Sequence, residues 1–116
     1  MDKAIRIPVP NAACPQGEDD AAMARRLSAL ANPARLRILR RLACADACCC
    51  KDVVETTGLA QSTVSQHLRV LVEAGFVTYE PDAQRSRYSL NRAALTGLRE
   101  DFVILLAGCC AGAPDS

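Results

Sequence analysis

Two groups of side chains in this 116-residue chain are equipped for chemistry. The first is its seven cysteines: Cys14, Cys44, Cys48, Cys49, Cys50, Cys109 and Cys110. An odd count with several adjacent members suits a disulfide framework poorly. Deprotonated thiols are soft donors, so the run Cys48-Cys49-Cys50 and the vicinal pair Cys109-Cys110 suit thiophilic ions or reversible oxidation. The second group lies in GLAQSTVSQHLRVLVEAG, residues 58–75. At helical spacing, one face of that stretch carries Gln61, Ser62, Thr63, Ser65, Gln66, His67 and Arg69. The opposite face carries Val64, Leu68, Leu71 and Val72. Short polar side chains and an arginine on an apolar-backed helix are what reading the DNA major groove requires. His67, the one histidine, reads as structural or phosphate-facing rather than as a metal ligand or catalyst.

The elements that must position these groups follow from periodicity and punctuation. Residues 1–17 hold three prolines and a glycine and show no period, which predicts a flexible N-terminal arm over 1–18. Asp19 or Asp20 can cap a first helix over about 20–31, with Met23, Leu27 and Leu30 on one face. Asn32-Pro33 is a strong restart, an N-cap followed by proline at the first helical position. The second helix runs to about 43, with Leu36, Leu39 and Leu42 expected inward and Arg35, Arg37, Arg40 and Arg41 outward. CADACCC connects it to a short helix over 51–57, ended by Gly58. The polar-faced helix covers 61–73 and stops at Gly75. FVTYE and SRYSL then read as two strands joined by the turn PDAQR. Asn91 can cap a last helix over about 92–107, whose Leu95, Leu98, Phe102, Leu105 and Leu106 form one stripe. The tail 109–116, with its two cysteines, is expected to be loose.

This order specifies a mainly α fold with a β-hairpin: a winged helix-turn-helix of five helices and a two-stranded wing, its folded domain over 19–108. Gln84, Arg85, Ser86 and Arg87 fall at or near the hairpin tip, where arginine can reach phosphates or the minor groove. The net charge of +1 means that DNA contact must come from local clusters of arginine. The apolar stripes of the first and last helices exceed what so short a chain can cover, which predicts a homodimer. A two-fold dimer would set two recognition helices about one DNA turn apart. No transmembrane run exists. Ala12-Ala13-Cys14 lacks the apolar stretch a signal peptide needs, so the chain reads as cytoplasmic, with no membrane partner. No Gly-rich phosphate loop, no Cys-x-x-C in a βαβ setting and no Cys-His-Asn/Asp arrangement is present, so an enzyme is not expected. A metallochaperone would leave the winged helix unexplained.

The segments LxALxNPxRLRIL at 27–39 and GLAQSTVSQHLRVLVEAGFVTYEPDAQRSRYSL at 58–90 resemble the ArsR/SmtB metal-sensing repressors, over about residues 20–107. The resemblance implies a dimeric winged-helix repressor that binds double-stranded operator DNA without a cofactor. It would release that DNA when a metal or metalloid binds. Many members carry Cys-x-Cys-Asp-Leu before the helix-turn-helix. Aligning Asp52-Val53 with its Asp-Leu puts Cys49 on its first cysteine and Lys51 on its second, so the motif is broken here. Cys48 or Cys50 would have to substitute. The resemblance offers two further ligand sources: a C-terminal pair matching Cys109-Cys110, and an N-terminal cysteine matching Cys14 that crosses the dimer. Cys44 reads as a small buried hydrophobe. With one histidine, and only Glu100 and Asp101 near the middle of the last helix, the family's His/Asp zinc site is not expected. The residues point to a thiolate site and to As(III) or Sb(III) as inducer, with Cd or Pb as the alternative. A thiol redox or persulfide sensor on the same fold also remains open.

Overall fold

The computed structural model describes residues 18–45, 47–81 and 86–111. Five helices and two strands follow in the order α1 (Glu18–Leu30), α2 (Pro33–Ala43), α3 (Cys50–Thr57), α4 (Gln61–Glu73), β1 (Val77–Glu80), β2 (Arg87–Leu90) and α5 (Arg92–Ala111). None of the helices is long and apolar enough to cross a membrane.

Local chemistry sets the boundaries. Asn32 turns extended before α2, and its Oδ1 accepts from the backbone N–H of Ala34 at 2.8 Å and of Arg35 at 3.2 Å. Gly58 ends α3 in the left-handed region (φ 73°), donating to the Val54 carbonyl at 2.9 Å. A side chain there would be strained, which is why glycine makes this tight turn. Thr57, buried beside it, accepts from the Leu59 N–H and so stays satisfied. Gly75 (φ 90°) closes α4 with paired bonds from Gly75 N–H to Val72 O and from Phe76 N–H to Leu71 O, a Schellman stop. Asn91 accepts from the Ala94 N–H to start α5, and its Nδ2 donates to the Gly75 carbonyl at 3.0 Å. One side chain thereby joins the end of α4 to the start of α5.

The main core packs α2, α3, α4 and the wing together. Ile38, Leu42, Val53, Val64, Leu68, Leu71 and Val77 are buried there, joined by Cys48. A second cluster of Met23, Ala29, Phe76 and Leu98, flanked by Leu95 and Phe102, holds α1 and α5 on the back of α4. Arg26 on α1 and Asp101 on α5 add an ion pair at 3.1 Å. β1 and β2 pair antiparallel with Val77 opposite Leu90, Tyr79 opposite Tyr88 and Glu80 opposite Arg87.

Four expectations from the sequence are corrected. First, α1 begins at Glu18, so Asp19 and Asp20 fall in its first turn, where the helix dipole favours acids. Second, Leu36 is 43 % exposed and not part of the core. The inner face of α2 is Arg35, Ile38, Leu39 and Leu42, the i, i+3, i+4, i+7 set. Leu36 lies about 100° off Arg35 on the helix wheel. Third, α3 starts at Cys50 with Cys49 as N-cap, one residue early. Fourth, α5 continues to Ala111. The stretch Val103–Ala111 holds no proline, and alanine and leucine favour helix, so Cys109 and Cys110 sit in a helix, not in a loose tail. The arm boundary at 18 lies at the edge of the described residues.

Candidate nucleic-acid interface and thiol cluster

α3, the Gly58 turn and α4 form the helix-turn-helix, and the β-hairpin follows as the wing. α4 turns Val64, Leu68 and Leu71 into the core. Its other face leaves Gln61, Ser62, Ser65, Gln66 and Arg69 exposed, with Thr63 and His67 half-buried. All seven polar residues singled out on this helix therefore lie off its buried face. Arg69 holds an exposed i, i+4 pair with Glu73 at 3.4 Å, a contact weak enough to exchange for a phosphate.

His67 does not stand alone. Its Nδ1 accepts from Arg35 Nε at 3.2 Å, so Arg35 is not the outward surface charge that the sequence suggested. Arg37 and Arg40 are exposed as expected. Arg41 is half-buried, with its Nε buried and unpartnered.

On the wing, Arg87 is exposed on β2. Arg85 and Gln84 lie outside the described residues, as does Cys14. Tyr79 and Tyr88 pack across the strands with ring centroids 5.3 Å apart, and the Tyr79 hydroxyl is 2.9 Å from Ser86 Oγ. This aromatic brace stiffens the hairpin that carries Arg87. Nothing in the alternating strand pattern alone singled out the two tyrosines as partners.

The thiol run is seated between α3, α4 and the wing. Cys48 is 3 % exposed and pairs with Tyr88 through two backbone bonds, Cys48 N–H to Tyr88 O at 2.9 Å and Tyr88 N–H to Cys48 O at 2.7 Å. Burial pushes the Cys48 thiol above its ordinary value; Arg41 opposes this, and Asp52 and Cys49 add to it. Cys49, also buried, caps α3 in a reciprocal capping box: its side chain accepts from the Asp52 N–H, and the Asp52 carboxylate accepts from the Cys49 N–H at 3.3 Å. Cys50 is half-buried, its Sγ 3.6 Å from Ser65 Oγ on α4. A cleft opens there, lined by Cys49, Cys50, Lys51, Gln61, Ser65, Ser86 and Tyr88. It reaches α3, α4 and the wing at once.

Cys109 and Cys110 are exposed on the last turn of α5, and Cys44 is exposed rather than buried. Cys44 closes α2 as its C-cap, which holds it at the surface. Among the described residues no three of His, Cys, Asp and Glu stand close enough to hold an ion. Adjacent residues on a helix, such as Cys109 and Cys110, point about 100° apart.

Residues 30–80 match the family described as Helix-turn-helix domain. The chain is 34 % identical over 79 residues to the arsenical resistance operon repressor of Staphylococcus aureus, covering 68 % of this chain and 75 % of that one. Its fold superposes on the transcriptional repressor BigR from Xylella fastidiosa with a TM-score of 0.61 at 25 % identity, over 76 % of this chain and 89 % of that one. A homodimeric winged helix-turn-helix domain from Mycobacterium bovis, a possible ArsR-family regulator, shares the fold with a TM-score of 0.64 at 22 % identity. That match covers 87 % of this chain and 92 % of that one.

Proposed function

This chain belongs to the ArsR/SmtB family of transcriptional repressors, and from that footing we propose that it acts in the cytoplasm as a homodimer. It grips operator DNA in its thiol-free-of-ligand state and lets go when a thiophilic metalloid or metal binds its cysteines. As(III) or Sb(III) is the favoured inducer, with Cd or Pb second. Base edges and phosphates would be met by Gln61, Ser62, Thr63, Ser65, Gln66, His67 and Arg69 of α4, and phosphates or minor groove by Arg85 and Arg87 of the wing.

The observation that carries this reading is the seating of Cys48, Cys49 and Cys50. Cys48 holds β2, Cys49 starts α3 and Cys50 touches α4. Thiols match these inducers in donor type. Gathering two or three of them about one ion would take the Cys49 side chain from its cap on α3 or draw the buried Cys48 thiol out of the core. A coupling of about 1–3 kcal/mol between such a thiol site and the DNA-bound arrangement lowers operator affinity about 5- to 150-fold. Cys109-Cys110 at the end of α5, and Cys14 from the arm, are the other proposed ligand sources. Names among the relatives agree with a metalloid role.

For the dimer, the support is apolar surface. Val103, Ile104, Leu105 and Leu106 are 40–65 % exposed on α5.

A thiol redox or persulfide switch is the second reading. It is favoured by the exposed free thiols Cys44, Cys109 and Cys110 and by the half-buried Cys50 in an open cleft.

The test is fluorescence anisotropy of reduced protein on a labelled duplex from the DNA upstream of its own gene. As(III), Sb(III), Cd(II), Zn(II) and an oxidant are then added separately. The metalloid reading expects tight binding that As(III) or Sb(III) abolishes. Loss with oxidant alone would move the assignment to a redox switch, and no binding at low salt would remove the operator reading.

A further inference from the structure

Arg35 is half-buried one turn before the core residues Ile38, Leu39 and Leu42 of α2, so its guanidinium lies at the rim of the core. A charge held against a core has to be paired. Arg35 makes three hydrogen bonds, to two other helices. Its Nη1 donates to the carbonyls of Ser28 at 3.3 Å and Ala29 at 3.2 Å, in the last turn of α1. Carbonyls in a last turn carry the negative end of the helix dipole, which suits a cation; the Ser28 carbonyl also accepts from the Ala31 N–H at 3.2 Å. Its Nε donates to His67 Nδ1 at 3.2 Å, on α4. One side chain rooted in α2 therefore bonds to both α1 and the reading helix.

The second half of that link constrains the ring. An Nδ1 that accepts a hydrogen bond cannot carry the proton, so neutral His67 is the Nε2–H tautomer. Its remaining donor is then on the side of the ring away from Arg35.

We propose that Arg35 is a positioning residue for operator recognition. It ties α4 to the C-terminal turn of α1 and fixes the tautomer and orientation of His67, and it does so without touching DNA. The inference rests on the DNA-binding role assigned above to α4. Because α1 also packs on α5, the strut sets the angle between α4 and the helix whose exposed apolar turn suits dimer formation.

The experiment is operator titration by anisotropy at several salt concentrations for wild type, Arg35→Ala, His67→Ala and the double variant. It is paired with nitrogen-15 NMR of the imidazole, which has a single histidine to report. The expected result is an affinity loss of about tenfold or more for Arg35→Ala, the scale of one charge-assisted hydrogen bond. The slope of affinity against salt stays at the wild-type value, whereas a lost phosphate contact lowers it by about one. His67→Ala and Arg35→Ala are non-additive in the double variant, as linked residues are. Wild-type His67 shows the Nε2–H tautomer, and Arg35→Ala mixes the two tautomers.

Full affinity in Arg35→Ala, a salt slope reduced by about one, or a wild-type Nδ1–H tautomer each overturns the proposal. Should Arg35→Ala not fold, Arg35→Lys and the wild-type tautomer decide it instead. Absence of wild-type binding is a different result: it removes the DNA role of α4 and this inference with it.

Discussion

Cys50 Sγ on α3 lies 3.6 Å from Ser65 Oγ on α4, so a soft nucleophile touches the helix proposed to read bases. A hydroxyl in place of that thiol keeps the contact and removes the soft donor. Cys50→Ser is therefore expected to bind the operator within about twofold of wild type, because a near-isosteric change at a half-buried site that keeps its contact costs little, about 0.5 kcal/mol. Its response to As(III) should fall or vanish in the anisotropy titration. A full response in the Cys48/Cys49/Cys50→Ser triple variant would remove that run from sensing and leave Cys109, Cys110 and Cys14 as the sources.

Cys48 and Cys49 are neighbours with opposite requirements. Cys48 is buried among Ile38, Val53 and Val77, and a serine there buries a hydroxyl in an apolar site. Cys48→Ser should cost about 1–3 kcal/mol in urea unfolding. Cys49 occupies the N-cap of α3, a position that serine favours, with Asp52 completing the box. Cys49→Ser should lie within about 0.5 kcal/mol of wild type. Equal losses at the two positions would contradict the cap.

Alkaline pH should loosen the α3–wing seam. Burial raises the Cys48 thiol above its ordinary 9.0. Burial also raises the Tyr88 hydroxyl above 10.0, with the neighbouring Cys50 and Tyr79 adding to it. Both groups hold their protons more tightly folded than unfolded. Their contribution to stability is therefore complete below the unfolded values and is lost as pH rises through the raised folded ones. Urea midpoints should fall between about pH 8 and about pH 11, and fall less steeply in Cys48→Ala. A midpoint flat across that window would show that neither group is held by the fold.

Much of this architecture was legible because local punctuation and tertiary packing agree. Asn32-Pro33, Gly58, Gly75 and Asn91 each end or start a helix where their chemistry demands it, and α4 has the expected bounds of 61–73. The inner face of α2 was misread because Leu36, Leu39 and Leu42 are three apart. A repeat of three drifts about 60° per step around a helix, whereas the true face steps by three and four and includes an arginine. No one-dimensional pattern marks an arginine as inward when its partners are the carbonyls of Ser28 and Ala29 and a histidine 32 residues on. The thiol run was legible as reactive chemistry but not as structure. That Cys48 is a bridge and Cys49 a cap depends on β2 returning to α3, a contact between residues 40 apart in sequence.

The end of α5 yields the last expectation. Val103, Ile104, Leu105 and Leu106 step about 100° each, so this turn is apolar on every side, and all four are exposed in one chain. A helix apolar all round is stable in water only when covered. In a two-fold dimer the same patch meets its own copy, so one substitution is felt twice. Ile104, the most exposed of the four at 65 %, packs against little in its own chain, so Ile104→Glu should leave the monomer folded by circular dichroism. Two carboxylates brought into one apolar interface oppose association, so sedimentation velocity should show the variant shifting from dimer to monomer. Operator affinity should fall with it, because a monomer offers one recognition helix where the half-sites require two. A variant that stays dimeric would place the interface nearer α1 and the first half of α5, leaving the apolar turn at 103–106 for another partner.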